Sequence, residues 1–281
     1  MMFVLENDDL KLTCTEKGGQ MRSLIRKSDG RELLYQGDQA WKDQNPSLFP
    51  IIGSTWSGSY EMDGKSYSMK NHGLARYAML EGTREADCLL FSFSDDENTR
   101  SQYPFGFGFV MEYRLAGPEV KITYRIENTG DRPMPFTLGL HPAFRTDPFE
   151  DCELVFEPAG KAVQFHTFED GRPVEYETVE LDRLPLDRGL IRKERTLIWK
   201  DYDTEQVTLL QNGRAQITMK FPGFPFLAVW THPQDSEFVC IEPWYGHADL
   251  EKLDVPFEKR EGTMILEPGR TWTTSYAIEV K

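Results

Sequence analysis

The feature that most constrains this chain is a two-residue alternation of apolar and polar side chains, repeated many times with almost no helical periodicity between the repeats. In 120–127, Val120, Ile122, Tyr124 and Ile126 fall on one side and Lys121, Thr123, Arg125 and Glu127 on the other, as a strand with one buried face requires. Segment 215–220 sets Ile217 and Met219 against Gln216, Thr218 and Lys220, and near the C-terminus Trp272, Tyr276, Ile278 and Val280 share a face. Further strands are expected at 2–6, 10–15, 88–94, 105–115, 134–140, 152–157, 206–211, 226–231, 237–241 and 263–267. The Asp63-Gly64 pair supplies the positive φ angles of a two-residue hairpin, and Asn128-Thr129-Gly130-Asp131 and Asn212-Gly213 are expected to turn the chain in the same way. Helix is expected only at 248–253, for about a turn and a half.

More than a dozen strands without crossover helices must pair as neighbours, so the expected fold is all-β, a large antiparallel sandwich or barrel with very little helix. The stretch from Glu169 to Arg195 is rich in charge and lacks alternation, yet no Gly/Ser tract sets it apart. It reads as an excursion within a single domain spanning residues 1–281. A chain of 281 residues buries roughly three quarters of its unfolded surface and needs no staple. Cys14, Cys88, Cys152 and Cys240 are accordingly expected as buried free thiols in a reducing compartment. There is no long apolar span and no basic-then-apolar leader before Asp9, so a cytoplasmic chain is expected.

With 32 basic against 46 acidic residues, the net charge of −14 disfavours nucleic acid and anionic membrane as partners. A small neutral ligand fits better. Phosphate loops, nucleophile elbows, HExxH and dinucleotide fingerprints are all absent, as is the HxH spacing of a metal-dependent barrel enzyme. What remains is polar residues where a core strand would not place them. His141 ends the apolar run Phe136–Leu140 just before Pro142, and Glu242 follows Phe238–Ile241 just before Pro243-Trp244. A carboxylate held beside that aromatic wall has its pKa pushed up from ~4.3, toward the range of a useful base. In Asn71-His72-Gly73-Leu74-Ala75-Arg76, Gly73 permits close approach of a ligand to backbone, and Arg76 offers a forked donor. His232 is placed along the same cleft by Trp230-Thr231-His232, whereas His166 and His247 read as structural. Trp230, Trp244 and Tyr245 supply faces on which the C–H side of a sugar can stack.

Taken in order, Asn71–Arg76, Tyr103-Pro104-Phe105-Gly106-Phe107, Pro135–Pro142, Ile241-Glu242-Pro243-Trp244-Tyr245-Gly246 and the closing Glu267-Pro268-Gly269 resemble the aldose 1-epimerase (galactose mutarotase-like) superfamily, and within it the LacX-type branch. The resemblance covers the whole chain. It implies a single β-sandwich and interconversion of the α and β anomers of a free hexose, without cofactor or metal. By motif position it puts the general acid on His141, the general base on Glu242, and substrate binding on His72 and Arg76, with Trp230 or Trp244 packing on the sugar. Ser54 stands where many LacX-type members carry Arg, removing one expected hydroxyl donor. The ligand-binding Asp of galactose mutarotases has only Asp201 and Asp203 as nearby candidates. A phosphorylated hexose would call for extra cations in the cleft, for which Arg76, Lys70 and Arg145 are the candidates. A non-catalytic sugar-binding or sugar-sensing protein on the same fold is the alternative reading, as monomer or homodimer.

Overall fold

The computed structural model describes residues 1–39, 41–234, 236–253 and 255–281. Its framework is one large antiparallel sheet. From one edge its strands run Ser47–Leu48, Leu138–Leu140, Phe238–Tyr245, Phe226–Trp230, Leu197–Lys200, Cys152–His166, Gln206–Gln211, Arg214–Lys220, Thr271–Val280, Glu119–Asn128, Phe107–Ala116, Cys88–Ser94 and Glu81–Arg84. The sheet curves until its ends face each other. The Phe49 ring, beside the first strand, packs at 5.3 and 5.2 Å from Phe107 and Phe109 near the other end, and Ser47 Oγ lies 3.0 Å from the Tyr124 hydroxyl. A second sheet, Met2–Glu6, Leu10–Thr15, Met21–Arg26 and Arg31–Glu32, adds its buried leucines to the same core. This is the expected antiparallel β-sandwich.

The alternating segments became strands with the expected faces. Val120, Ile122, Tyr124 and Ile126 are each at most 1% exposed, and their strand is paired along its length with Phe107–Ala116 and Thr271–Val280. Asp63-Gly64 and Asn212-Gly213 make tight turns with φ of 51° and 72°, and 50° and 72°, the signature of a hairpin whose twist matches its strands. All four cysteines are buried and free.

Other expectations fail for identifiable reasons. The Asn128–Asp131 turn joins strands of different sheets, because the Asn128 side chain bridges the Arg132 and Leu266 carbonyls and stitches the turn to the C-terminal segment. The run 134–140 splits at Thr137, whose N–H bonds to the Pro50 carbonyl: Met134–Phe136 pairs with Met264–Leu266, and Leu138–Leu140 enters the large sheet. No helix forms at 248–253, where the backbone is instead held by Asp249 N–H to Ser54 O and Lys252 N–H to Gly171 O. Among the described residues the two α-helices lie elsewhere. α1, Glu97–Gln102, starts at a capping box between Asp96 and Thr99, and α2, Arg188–Glu194, is capped by Asp187. The charged excursion contains both α2 and an edge strand, Glu175–Pro185. That strand is exposed on both faces over most of its length, so the period-two signal had no buried face to mark.

Gly73 does not open backbone to a ligand. Its φ is +74°, and a Cβ there would lie 2.5 Å from the Phe49 carbonyl oxygen, because the two segments meet in a parallel bridge. Gly30 has a similar φ of +72° but open space around it. Gly73→Ala is therefore expected to cost about 2–4 kcal/mol in denaturant unfolding and Gly30→Ala about 1 kcal/mol. Equal losses would show that the Phe49 contact contributes nothing.

Candidate active site

Phe238–Tyr245 pairs along one side with both Leu138–Leu140 and Ala143–Arg145. The register is the same before and after the His141-Pro142 break: Gly139 faces Trp244, and Ala143 faces Cys240. His141 therefore lies directly across from Glu242. On its other side Glu242 is paired with Ala228, so it occupies a central strand with neighbours on both flanks. Pro142 interrupts regular pairing without shifting register, which frees the His141 ring to approach the carboxylate. His141 Nε2 stands 3.4 Å from Glu242 Oε1, with the residues 7% and 2% exposed.

The pair lines a cleft of about 400 Å³, a volume suited to a small ligand. The face that carries it is the one turned away from the main core. Trp244, Phe226, Ala228, Ile198, Leu48 and Ile52 form an apolar cluster on one side of the pair, and Tyr35, Ala143, Phe238 and Cys240 form another on the opposite side. A strand end and a loop raise the walls. Trp230 meets the His141 ring edge-on at 5.3 Å, while Trp41 stacks on it at 5.1 Å. Trp41 is fixed by reciprocal bonds of its N–H and carbonyl with Asp38, and by the Tyr35 hydroxyl on its carbonyl oxygen.

His72 reaches the opposite rim, its ring edge-on to His141 at 5.7 Å. The Gly53 N–H donates to its Nδ1 at 3.0 Å, which leaves the hydrogen on Nε2 as a donor. Burial, aided by the nearby Arg76 charge, lowers its pKa to about 3, so the ring is neutral at physiological pH. Arg76 lines the cleft with its guanidinium held by Asp43: Nε and Nη2 both reach Asp43 Oδ2, at 2.8 and 2.7 Å. Ser54 Oγ donates to Asn71 Oδ1 at 3.1 Å, orienting an amide on the same wall.

One physical cause acts in opposite directions on the central pair. Burial drives the Glu242 pKa well above the ordinary carboxylate value, against the opposing pull of Trp244 and Arg76. It drives His141 well below the ordinary imidazole value, with His72 and Arg76 adding to the effect. The upward shift of Glu242 is the one expected from its place beside the aromatic wall, and the downward shift of His141 has the same cause, because loss of hydration penalises whichever form is charged. With one proton between them the pair is net neutral, either as carboxyl and imidazole or as carboxylate and imidazolium. Adding or removing a proton leaves a net charge out of water.

His141, Glu242, His72, Arg76, Trp230, Trp244 and His232 all line one cleft. Lys70, Arg145, His166, His247, Asp201 and Asp203 do not line it. Asp201 and Asp203 sit instead in the turn after Leu197–Lys200. An aspartate outside those candidates, Asp43, holds the Arg76 guanidinium at the cleft. Sequence reading missed both Asp43 and Trp41, which lie in a non-alternating loop; an aromatic there, on no strand face, was the only signal. Among the described residues one group has metal-ligand geometry: a ligand atom each from His141, Cys240 and Glu242, all within 4.8 Å of one another. A wider depression beside α2 holds Arg188, whose guanidinium is committed to Glu150, Glu237 and the Ser236 carbonyl.

The fold has known counterparts. The family model for aldose 1-epimerase matches residues 1–279. The chromosomal LacX protein of Lactococcus lactis subsp. lactis is 26% identical, over all of this chain and 99% of its own length. A galactose mutarotase related enzyme from Lactobacillus acidophilus superposes with a TM-score of 0.93 at 26% identity, covering all of this chain and 97% of the other. A galactose mutarotase-like protein from Lactobacillus casei gives 0.92 at 25%, with both chains fully covered. Among the described residues no helix is long and apolar enough to cross a membrane. With residues 1–279 matched by that family model, the chain belongs to the aldose 1-epimerase family.

Proposed function

We propose that this protein interconverts the α and β anomers of a free, uncharged hexose, with Glu242 and His141 as the proton-transferring pair. The observation that carries the reading is the buried, register-aligned contact of the two groups at 3.4 Å on the floor of the cleft. Glu242 takes the proton of the anomeric hydroxyl while His141 gives one to the ring oxygen. The C1–O5 bond breaks with its electron pair going to O5, and C1–O1 becomes a carbonyl. Rotation about C1–C2 turns the other face of the aldehyde inward, and reversal of both transfers closes the ring as the other anomer. The two oxygens share a carbon, so an acid and a base this close together reach both at once. Ring opening converts a buried carboxylate and imidazolium into a neutral carboxyl and imidazole. Ring closure on the other face reverses both transfers, so the pair ends the cycle in the protonation state in which it began.

The remaining polar groups suit a neutral polyol. His72 Nε2–H, the Asn71 amide and Arg76 offer donors, and Trp41, Trp230 and Trp244 offer apolar walls. Among the described lining residues Arg76 is the only Lys or Arg, and Asp43 offsets its charge. Phosphorylated hexoses are therefore poor substrates. A purely sugar-binding role leaves the burial of an acid and a base side by side without a use, and the catalytic reading is preferred on that ground.

Magnetization-exchange NMR between the anomers of glucose and galactose tests the assignment. Glu242→Gln and His141→Ala are each expected to lower kcat/KM by about 10²–10⁴-fold. Unchanged exchange in both would remove the pair from the mechanism. The pH profile provides a second check. The His141 pKa is lowered, so a second proton binds only well below the ordinary ~6.5; the Glu242 pKa is raised, so the shared proton leaves only well above the ordinary ~4.3. The expected profile of kcat/KM is a broad plateau across neutrality, and a single limb near ~6.5 would contradict it. Asp43→Asn is expected to raise KM by about tenfold, the equivalent of one hydrogen bond of ~1.4 kcal/mol, while leaving kcat nearly unchanged. It should also improve the relative use of hexose 6-phosphates. A fall in kcat with KM constant would place Asp43 in the chemistry instead.

A further inference from the structure

Cys240 precedes Glu242 by two residues on the same strand, so its thiol is on the same face of the sheet. Its paired neighbours are Ala143 and Trp230, one row below the His141–Glu242 row. The side chain is fully buried, and proton transfer has no use for it. It nevertheless completes a triad: a ring nitrogen of His141, Sγ of Cys240 and a carboxylate oxygen of Glu242 all lie within 4.8 Å of one another.

We propose that this triad binds a thiophilic divalent cation, Zn²⁺ or Cd²⁺, and that the bound ion reversibly switches off the acid–base pair. Tetrahedral bonds of ~2.0–2.3 Å require ligand atoms about 3.3–3.8 Å apart. The His141–Glu242 pair already stands at 3.4 Å, so the sulfur is the atom that moves. Charge balance favours the complex. A divalent ion with one thiolate, one carboxylate and one neutral imidazole is uncharged, and an uncharged assembly suits a buried site. The ligands reach that state by releasing two protons to solvent, one from the thiol and one from the pair. His141 and Glu242 open onto the cleft, so the ion enters from there and keeps its fourth position for water. His141 Nδ1 has no hydrogen-bond partner, so the site lacks the outer brace typical of structural zinc centres. The site is therefore inhibitory and reversed by chelators, and the fold does not depend on it.

The test is titration of chelator-treated full-length protein with Cd²⁺, following the ultraviolet cadmium–thiolate charge-transfer band. The expected result is a band that saturates at one equivalent per chain and disappears with EDTA, with anomer exchange falling and recovering in parallel. Cys240→Ala is expected to abolish the band, retain basal exchange and weaken inhibition at least tenfold. Cys240→Ser serves if the alanine variant folds poorly, since a hydroxyl gives no such band. His141→Ala should weaken the binding read from the band by at least the roughly 10–100-fold that losing a supporting group costs at metal sites, and Cys14→Ala should leave it intact. Absence of the band in the wild-type protein, or its persistence in the Cys240 variants, would overturn the proposal. The optical signal reports on the metal whether or not the chain turns over sugars, so failure of the epimerase reading is scored separately.

Discussion

Everything at the site depends on burying a carboxyl group in a central strand of the sheet. Glu242 is 2% exposed with strands paired on both sides, and an ionised carboxylate there without a partner would be strongly destabilising. The fold answers with His141, held opposite by a register that passes unchanged through Pro142. A slip of one residue would turn the His141 ring to the other face of the sheet and into the main core. The proton shared by the pair is thus a condition of packing as well as the proposed agent of catalysis.

The same preference for neutrality extends through the cleft. Arg76 is offset by Asp43, and His72 is kept uncharged by burial and by its neighbour Arg76. The protein as a whole carries −14, but the cleft presents donors and aromatic faces with little net charge. The proposed selectivity for an uncharged polyol and the proposed affinity for a cation that neutralises its own ligands both rest on that balance.

Much of this was legible in the sequence, and what was not had physical causes. His141 and Glu242 stood out because each ends or interrupts an apolar run, placing a titratable group where the flanking side chains are buried. Cys240 was legible as a buried thiol but not as a neighbour of His141, since their proximity is a matter of cross-strand register. Trp41 and Asp43 belong to a loop ordered by tertiary bonds, where no periodicity exists to be read. The edge strand Glu175–Pro185 is polar on both faces, and the segment 248–253 yielded its helical tendency to backbone bonds from distant loops.

By itself the sequence determined the architecture: alternation makes strands, tight turns pair them, and the absence of crossover helices leaves an antiparallel sandwich. It also determined which residue types were available for chemistry. Tertiary structure alone decided which of them meet. Register across the break at Pro142, the curvature of the large sheet and the loops that wall the cleft brought His141, Glu242, His72 and Arg76 together, added Trp41 and Asp43, and left Asp201, Asp203 and Lys70 outside. The physical reason is that burial in a strand is a local property of side-chain pattern, whereas proximity and pKa depend on groups that the chain brings close only when the whole sheet has closed.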